Sequence, residues 1–176
     1  MTAEQAGQVS KVCMTVGMSC FTRAGEAKAV PLALIKLSEA NPLKITLITG
    51  ASLGNDLDKQ LTEAGVLARR LPFQVDNTLR KAINKGEVMF IDQHLSETVE
   101  QMRNQQLKKP DVAVIEAVAI TEDGGIIPTT SVGNSASFAI FAKEVIVEIN
   151  TNLSPAFEGL HDIYIPSYRP TRQPIP

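Results

Sequence analysis

The sequence predicts an α/β fold in which a mostly parallel sheet carries helices on both faces. Strand-like and helix-like patterns alternate along nearly the whole chain, and helix-length segments separate successive strands. Such connections favour parallel crossovers over a meander of hairpins. The runs Val112–Ile115 and Val145–Ile149 are almost entirely apolar, which is typical of strands that are covered on both faces.

The first part of the chain contains two strand–helix pairs. Val12–Ser19 is predicted as the first strand, and Lys28–Ala40 follows as a helix whose proline falls in the first turn, where its missing N–H is tolerated. Ile45–Ile48 is the second predicted strand. Asn55 is expected to cap a helix over Asp56–Ala64, because a side-chain oxygen there can accept from the free N–H groups of the helix start.

The middle of the chain continues the alternation with shorter elements. Val66–Ala68 is a short apolar piece that leads into a Leu-Pro-Phe turn. Asp76 or Asn77 is expected to cap the next helix, which should end near Gly86, since glycine commonly follows the last helical residue. Val88–Ile91 is the next predicted strand.

The last third of the chain combines a helix, a hairpin and a second, shorter helix. Apolar residues at helical spacing predict a helix over about 96–107, which a proline ends. Val118–Thr121 and Ile126–Thr129 are joined by Glu-Asp-Gly-Gly, and they predict a small hairpin inserted on the sheet because Asp-Gly is a strong turn signal. Ser137–Lys143 is expected to be a short helix before the final strand.

Composition indicates one ordinary globular domain. Of the 176 residues, 44% are hydrophobic and 20% are charged, and the formal net charge of -2 leaves no basic footprint for a nucleic-acid partner. The pairs Arg69-Arg70 and Lys108-Lys109 are predicted to be solvated surface. No signal-peptide pattern is visible, and the apolar runs are too short to cross a membrane. We therefore expect a cytoplasmic protein, or a mitochondrial-matrix protein in a eukaryote.

Isolated cysteines, histidines and one carboxylate give weak chemical signals. Cys13 lies in an apolar strand pattern and is predicted to act as a small buried hydrophobe. His94 and His161 lack any metal-ligand spacing, so no metal site is expected. Glu116 ends an apolar strand, and there an ion-paired carboxylate is the favoured interpretation and a catalytic acid is the alternative.

Three loops that follow predicted strands concentrate small and hydroxyl-bearing residues, namely Ser19–Gly25, Thr49–Gly54 and Ser131–Ser135. Because parallel strands end at the same edge of a sheet, these loops can converge on a carbonyl, carboxylate or phosphate group. Simple tight turns and helix caps are the alternative. The glycine patterns of dinucleotide-binding domains, P-loop proteins and α/β-hydrolases are absent.

Four segments resemble the acetyl-CoA hydrolase/transferase family in the same order along the chain. They are VGMSCFTRAGEAKAVP at 16–31, ITLITGASLG at 45–54, LPFQVDNTLRKAINKGE at 71–87 and EAVAITEDGGIIPTTSVGNSASF at 116–138. This family includes acetyl-CoA hydrolases and the succinate or acetate CoA-transferases of class I.

The resemblance runs from about Val12 to Ile165 and covers only the first half of a family member. It implies a CoA-transferase-like, Rossmann-like three-layer domain over 1–165. A Pro-rich tail, or the start of an interdomain connection, would follow over 166–176. The family's nucleophilic glutamate, which forms an acyl anhydride and then a glutamyl-CoA thioester, belongs to the second half. No residue of this chain matches it.

The resemblance also implies that the three loops form one wall of a CoA-transfer cleft, with no catalytic residue and no metal ligand in this chain. Two positions depart from the family pattern. Cys20 replaces a glycine of the first loop, and Val75 replaces a threonine that some members carry. The implied cleft residues are Phe21, Thr22, Gly25, Ser52, Gly133 and Asn134.

The function implied by the resemblance is transfer of CoA between an acyl-CoA and a small carboxylate such as acetate or succinate, or hydrolysis of the thioester. A CoA thioester would be a substrate rather than a bound cofactor, and the C-terminal half or a partner chain carrying it would complete the enzyme. This chain alone is expected to be inactive, and either to self-associate or to be unstable. A non-catalytic fragment or binding module that retains the fold is the alternative, and a sugar-phosphate isomerase is a less favoured one.

Overall fold

The computed structural model describes residues 1–9, 13–165 and 167–174. The helices are α1 (Ala3–Gly7), α2 (Ala29–Ala40), α3 (Leu57–Glu63), α4 (Asn77–Asn84), α5 (Leu95–Arg103) and α6 (Ser135–Phe141). The strands are β1 (Thr15–Met18), β2 (Ile45–Thr49), β3 (Leu67–Leu71), β4 (Met89–Phe90), β5 (Val112–Ile120), β6 (Ile126–Pro128) and β7 (Glu144–Ile149), and a short 3-10 turn lies at Pro155–Phe157.

The described strands form one seven-stranded sheet that is parallel except for β6. The strand order is β4-β3-β2-β1-β5-β6, and β7 also pairs with β5. β1 lies at the centre, where Val16 is in register with Leu47 of β2 and with Val112 of β5. β6 runs antiparallel to the last part of β5, and β7 runs parallel to its first part.

Alternate residues of β5 show why the sheet has helices on both faces. Val112 and Val114 belong to a core cluster with apolar residues of α1 to α4. Ala113 and Ile115 belong to a second cluster that contains Met102 of α5 and Phe138 of α6. Since successive side chains of a strand point to opposite faces, the two clusters lie on the two sides of the sheet. The predicted fold class is therefore confirmed.

The hairpin prediction is also confirmed, but its first strand is not a separate element: it continues the preceding apolar strand. Val112–Ile115 and Val118–Thr121 merge into β5, which is continuous over nine residues. β5 and β6 pair in antiparallel fashion, and Gly124 adopts a φ of 86° in the turn between them. A glycine takes this conformation without steric cost, so the Asp-Gly signal located the turn correctly.

The prediction that the last strand is covered on both faces is wrong. Along β7 no residue is fully buried, and Val145 and Ile149 are 39% and 42% exposed. β7 pairs with β5 alone among the described strands. An apolar run thus marks a strand, but its position at the edge of the sheet depends on tertiary pairing.

Two predictions of burial are also wrong: Arg70 was expected on the surface, and Cys13 was expected in the core. β3 extends beyond the predicted apolar piece and includes both arginines. The Arg70 side chain is fully buried, and Arg69 is exposed as predicted. Cys13 lies in a turn before β1, with a φ of 66° and an exposed side chain, rather than inside the strand. A periodic pattern does not reveal a buried ion pair or the residue at which a strand begins.

The predicted helix caps have different outcomes. Asp76 caps α4 as predicted, because its carboxylate accepts from the Leu79 N–H at 2.8 Å. The cap by Asn55 is wrong, since α3 begins at Leu57 without a side-chain cap. The Asn55 amide instead donates to Glu26 Oε1 at 2.5 Å.

The C-terminal segment has no regular secondary structure over 167–174, but it contacts α5. Arg169 pairs with Glu97 at 2.8 Å, and Arg172 pairs with Glu100 at 3.4 Å. Arg103 of α5 lies over the Tyr168 ring, 4.7 Å from its centroid. Parts of the first-strand and tail predictions fall on Val12, Pro166, Ile175 and Pro176, which lie outside the described residues.

Candidate functional site at the carboxyl edge of the sheet

The three loops singled out in the sequence follow β1, β2 and β6, and they meet at the edge of the sheet where β1 and β2 end. The Arg23 N–H of the first loop donates to the Ser52 carbonyl of the second loop at 3.0 Å. The Asn134 side chain donates to the Thr49 carbonyl at 3.4 Å, which joins the third loop to the second. The expected convergence is therefore present, although the third loop follows β6, which runs antiparallel to the other strands.

Two glycines make this approach possible. A Cβ added at Gly50 would lie 2.2 Å from the Cys20 carbonyl oxygen, and one added at Gly133 would lie 2.5 Å from the same oxygen. Gly133 also has a φ of 53°. Any side chain at either position would separate the loops, so the small residues serve the packing of the cluster as well as its turns.

The first loop is a tight turn that leaves an apolar ring at the rim of the site. Phe21 and Ala24 exchange backbone hydrogen bonds, and Thr22 and Arg23 adopt φ values of 50° and 66°. The Phe21 ring is half-exposed. Gly25, with a φ of 66°, packs against Ser131, whose hydroxyl donates to the Ala24 carbonyl at 2.5 Å.

Ser52 is the most informative side chain of the second loop. It is buried, and its Oγ has no hydrogen-bond partner among the described residues. A buried hydroxyl without a partner is unfavourable, because the desolvation of the group is not compensated. Ser52 Oγ therefore keeps an unused hydrogen-bonding capacity where the first and second loops meet.

A buried ion pair that the sequence did not reveal holds the second loop in place. The Arg70 guanidinium donates to Asp58 Oδ1 at 2.9 Å, to the Thr49 hydroxyl at 2.9 Å and to the Ala51 carbonyl at 3.1 Å. Asp58 also accepts from the Leu53 N–H at 3.0 Å. The two charges thus fix the loop on both sides of Ser52.

Cys20 and Val75, the two departures from the family pattern, lie at different depths. Cys20 is buried, its thiol donates to the Ala51 carbonyl at 3.4 Å, and burial raises the pKa of the thiol. Val75 is partly exposed and lines a cavity of about 130 Å³ together with Arg23 and Asp76. The cysteine is part of the loop packing, whereas the valine lies on an accessible wall.

Glu116 is a paired carboxylate, as the favoured interpretation predicted. It is buried, and it accepts from Lys28 Nζ at 2.6 Å, from the Thr129 hydroxyl at 2.5 Å and from the Asn150 amide at 2.9 Å. These bonds join the start of α2, the hairpin and the end of β7. Both carboxylate oxygens are occupied within this network.

Glu26 is a buried carboxylate near the site that sequence reasoning missed. Its Oε1 accepts from Asn55, while its Oε2 is buried and has no partner among the described residues. It follows the first loop directly, and its carboxylate lies against Gly54 of the second loop. A charged residue immediately after a glycine-containing turn is usually exposed, so the local pattern gave no signal of this burial.

The histidines take separate positions. His161 Nε2 lies 2.7 Å from the Thr129 carbonyl oxygen, and its ring stacks on Phe157 with 6.1 Å between centroids. It lines an open groove of about 570 Å³ beside Gly133 and Asn134. His94 bonds instead to the Ser96 hydroxyl at 2.8 Å. Within the described ranges, no group of three His, Cys, Asp or Glu residues is arranged to hold a metal ion.

None of the helices in the described part of the chain has both the length and the apolar character needed to cross a membrane.

The fold and the three converging loops define an open α/β domain with a preorganised loop cluster at the carboxyl edge of its sheet. The model of the acetyl-CoA hydrolase/transferase N-terminal domain matches residues 1–172. The chain belongs to this family.

Curated relatives support the same family. The chain is 43% identical to succinyl-CoA:acetate CoA-transferase from Clostridium kluyveri, covering 100% of this chain and 33% of the relative. It is 42% identical to acetyl-CoA hydrolase from Schizosaccharomyces pombe, covering 91% of this chain and 32% of the relative. The chain thus spans about a third of the length of these relatives.

Solved structures support the fold. Glutaconate coenzyme A-transferase from Acidaminococcus fermentans is similar to this chain with a TM-score of 0.65 at 14% sequence identity. The match covers 84% of this chain and 68% of the other. At this identity the likeness shows a shared α/β architecture.

Proposed function

We propose that this chain is the N-terminal domain of an enzyme that moves CoA between an acyl-CoA and a small carboxylate such as acetate or succinate, or hydrolyses the thioester. The observation that carries the proposal is the buried Ser52 hydroxyl, which has no hydrogen-bond partner in the part of the chain that the structure describes and lies where three loops meet. The names of the relatives supply the substrate class. A CoA thioester would enter as a substrate rather than as a resident cofactor.

The proposed role of the loop cluster is to orient substrate oxygens. Ser52 would donate its hydroxyl to a carbonyl or carboxylate oxygen. The turn at Gly133 and Asn134 would form the adjacent wall. Phe21, Thr22 and Gly25 would form the opposite rim and exclude water. Rigid donors that need no rearrangement on binding are the most effective ones in acyl transfer.

The nucleophile of the proposed reaction lies outside this chain. Acyl transfer through a covalent intermediate requires a carboxylate that is free to attack and an oxyanion site beside it. Both oxygens of Glu116 are engaged, which makes it unsuitable for that role. We therefore place the reacting glutamate in the part of the relatives that this chain does not span. The 176-residue chain alone should be inactive.

The test is a thioester assay with acetyl-CoA, in the presence and absence of succinate or acetate. The purified chain should show no turnover by itself. Turnover should appear when the remaining C-terminal portion of the Clostridium kluyveri relative is added as a separate polypeptide. Robust turnover by the chain alone would contradict the assignment of the nucleophile, and its absence in the mixture would favour the non-catalytic binding module.

Ser52→Ala tests the orienting role in the complemented enzyme. The substitution should lower kcat/KM by about 10- to 1000-fold, as is typical for loss of one donor to a reacting oxygen. Ser38→Ala is the matched control, because Ser38 lies on α2, away from the three loops, and its hydroxyl donates to the Ile35 carbonyl of the same helix. Equal activity of the two variants would remove Ser52 from the proposed site.

The proposal includes three further expectations. The domain occupies 1–165, and 166–176 leads toward the remainder of the enzyme. The half-exposed edge strand β7 favours self-association of the isolated chain, which sedimentation would detect as a concentration-dependent mass. The proposed compartment is the cytoplasm, or the mitochondrial matrix in a eukaryote, as fluorescence microscopy of a tagged protein would test.

A further inference from the structure

A second cavity, of about 300 Å³, runs along β2 and β3, from Lys44 before the amino end of β2 to Ile48 and Leu71 near the carboxyl ends of the two strands. None of the described residues that line this cavity belongs to the three loops. The residues that line it include Cys13, Lys44, Ile48, Arg69, Leu71 and Lys108.

The floor of this cavity is apolar. Ile48 and Leu71 are buried members of the core cluster on the α5 face, and Ile91 and Leu107 pack against that cluster. They line the cavity from β2, β3, the end of β4 and the segment after α5. A ligand with a hydrocarbon body could therefore bury it here, at about 25 cal/mol per Å² of apolar surface removed from water.

The rim of the cavity is positively charged. Lys44, Arg69 and Lys108 line it, and none of its described lining residues carries a carboxylate. Lys108 is paired with Asp111 at 2.6 Å, whereas Lys44 and Arg69 are exposed side chains for which no ion pair is found among the described residues. Two cations beside an apolar floor would favour a ligand that combines an anionic head with a hydrocarbon body.

Cys13 supplies a chemical reporter at this cavity. Its N–H donates to the Lys44 carbonyl at 2.7 Å, so the thiol is held next to the cationic rim. The side chain is exposed, whereas Cys20, at the opposite edge of the sheet, is buried. The two cysteines can therefore be distinguished by their reactivity.

We propose that this cavity binds an amphipathic organic anion, a carboxylate or an organic phosphate with a hydrocarbon body of about eight carbons. The apolar floor selects the body, and Lys44 and Arg69 select the head group. A volume near 300 Å³ with mostly apolar walls and a few charged groups is at the lower end for small-molecule sites. This site is independent of the CoA-transfer site proposed above.

The experiment measures how octanoate protects Cys13 in the 176-residue chain. The reagent is 5,5′-dithiobis(2-nitrobenzoate): the Cys13 thiolate forms a mixed disulfide, and one coloured thionitrobenzoate anion is released. Cys13→Ser identifies the fast phase, since Cys20 should react only slowly. Octanoate should slow the fast phase saturably by at least about fivefold, whereas octan-1-ol at the same concentration should leave it unchanged.

Charge variants test the head-group contacts. Lys44→Gln and Arg69→Gln should each weaken protection by octanoate by about threefold or more, as expected for loss of a nearby unit charge at a partly solvated site. Lys36→Gln, on the exposed side of α2, is the control and should have no effect. Octyl phosphate in place of octanoate tells which head group binds more tightly.

Three outcomes would overturn the proposal. They are absence of saturable protection by both anions, equal protection by octan-1-ol, and equal effects of all three charge variants. Because the assay needs no thioester turnover, it remains informative whether or not the proposed CoA-transferase activity is found.

Discussion

Replacement of the buried Arg70 by methionine should destabilise the protein more than any other single change of a charged residue in β3. The guanidinium forms an ion pair with Asp58 and donates to the Thr49 hydroxyl and the Ala51 carbonyl. Methionine has a similar length, so the change removes the charge and the donors and leaves little cavity. Asp58 would then be a buried carboxylate without its cation.

The expected loss is about 3–5 kcal/mol, the usual cost of removing one partner of a buried ion pair. Against a total stability of about 5–15 kcal/mol, this is a large fraction. With a urea dependence of about 2 kcal/mol per M, the midpoint of unfolding should fall by about 1.5–2.5 M. Urea titration followed by circular dichroism measures the shift, provided that the slope is unchanged.

Two comparisons make the result specific to the ion pair. Arg69→Met changes the adjacent, exposed arginine and should cost less than about 0.5 kcal/mol. The double variant Arg70→Met/Asp58→Leu removes both charges, so its loss should be smaller than the sum of the single losses by about 0.5–3 kcal/mol. Additive losses, or equal midpoints for the Arg69 and Arg70 variants, would refute the assignment.

Three further predictions concern the backbone, an acid-sensitive carboxylate and a helix start. Gly133→Ala should lower the free energy of unfolding by about 1 kcal/mol or more beyond the loss caused by Gly65→Ala, as measured by urea titration. Both glycines have a positive φ, so both substitutions strain the backbone, but only the Cβ at 133 would also meet the Cys20 carbonyl. Burial alone would raise the pKa of Asp111, but hydrogen bonds from two lysines and a backbone N–H hold it well below its usual value. Its stabilising contribution is therefore complete above about pH 4 and is lost as the pH falls toward the folded-state pKa, so Asp111→Asn should flatten the acid limb of a stability–pH curve. Glu148→Gln should cost about 1 kcal/mol by thermal unfolding, since this carboxylate accepts three N–H groups at the start of α2; unchanged unfolding would contradict that role.

The parts of the fold that could be predicted depend on local signals. The apolar run at Val112–Ile115, the Asp-Gly turn at 123–124 and the cap at Asp76 each act within a few residues, and each appears in the structure. The convergence of the first two loops followed from the parallel sheet itself, because such strands end at one edge. The third loop follows the antiparallel strand β6 and reaches that edge through the short return of the hairpin. These features needed no knowledge of distant contacts.

The remaining features depend on tertiary partners that the local pattern does not identify. Arg70 is buried because Asp58, on the neighbouring helix, neutralises it, and nothing in the strand sequence encodes that pairing. Glu26 is buried against Gly54 and bonds to Asn55 of the second loop. β7 is as apolar as a central strand, yet it lies at the edge of the described sheet. Sequence periodicity predicts which residues form a strand, but not what packs beside it.

Three buried polar atoms for which the described residues supply no hydrogen-bond partner lie at the loop cluster. Ser52 Oγ, Ser135 Oγ and Glu26 Oε2 all belong to or adjoin the three loops. Each such atom opposes folding, because its lost hydration is not replaced. The Arg70–Asp58 pair and the close packing at Gly133 supply opposing stability and fix the same loops. The two hydroxyls could donate to ligand oxygens, whereas Glu26 Oε2 could only accept from a ligand hydroxyl or N–H. A ligand that offers both kinds of group would bind without reorganising these loops and without breaking an internal hydrogen bond.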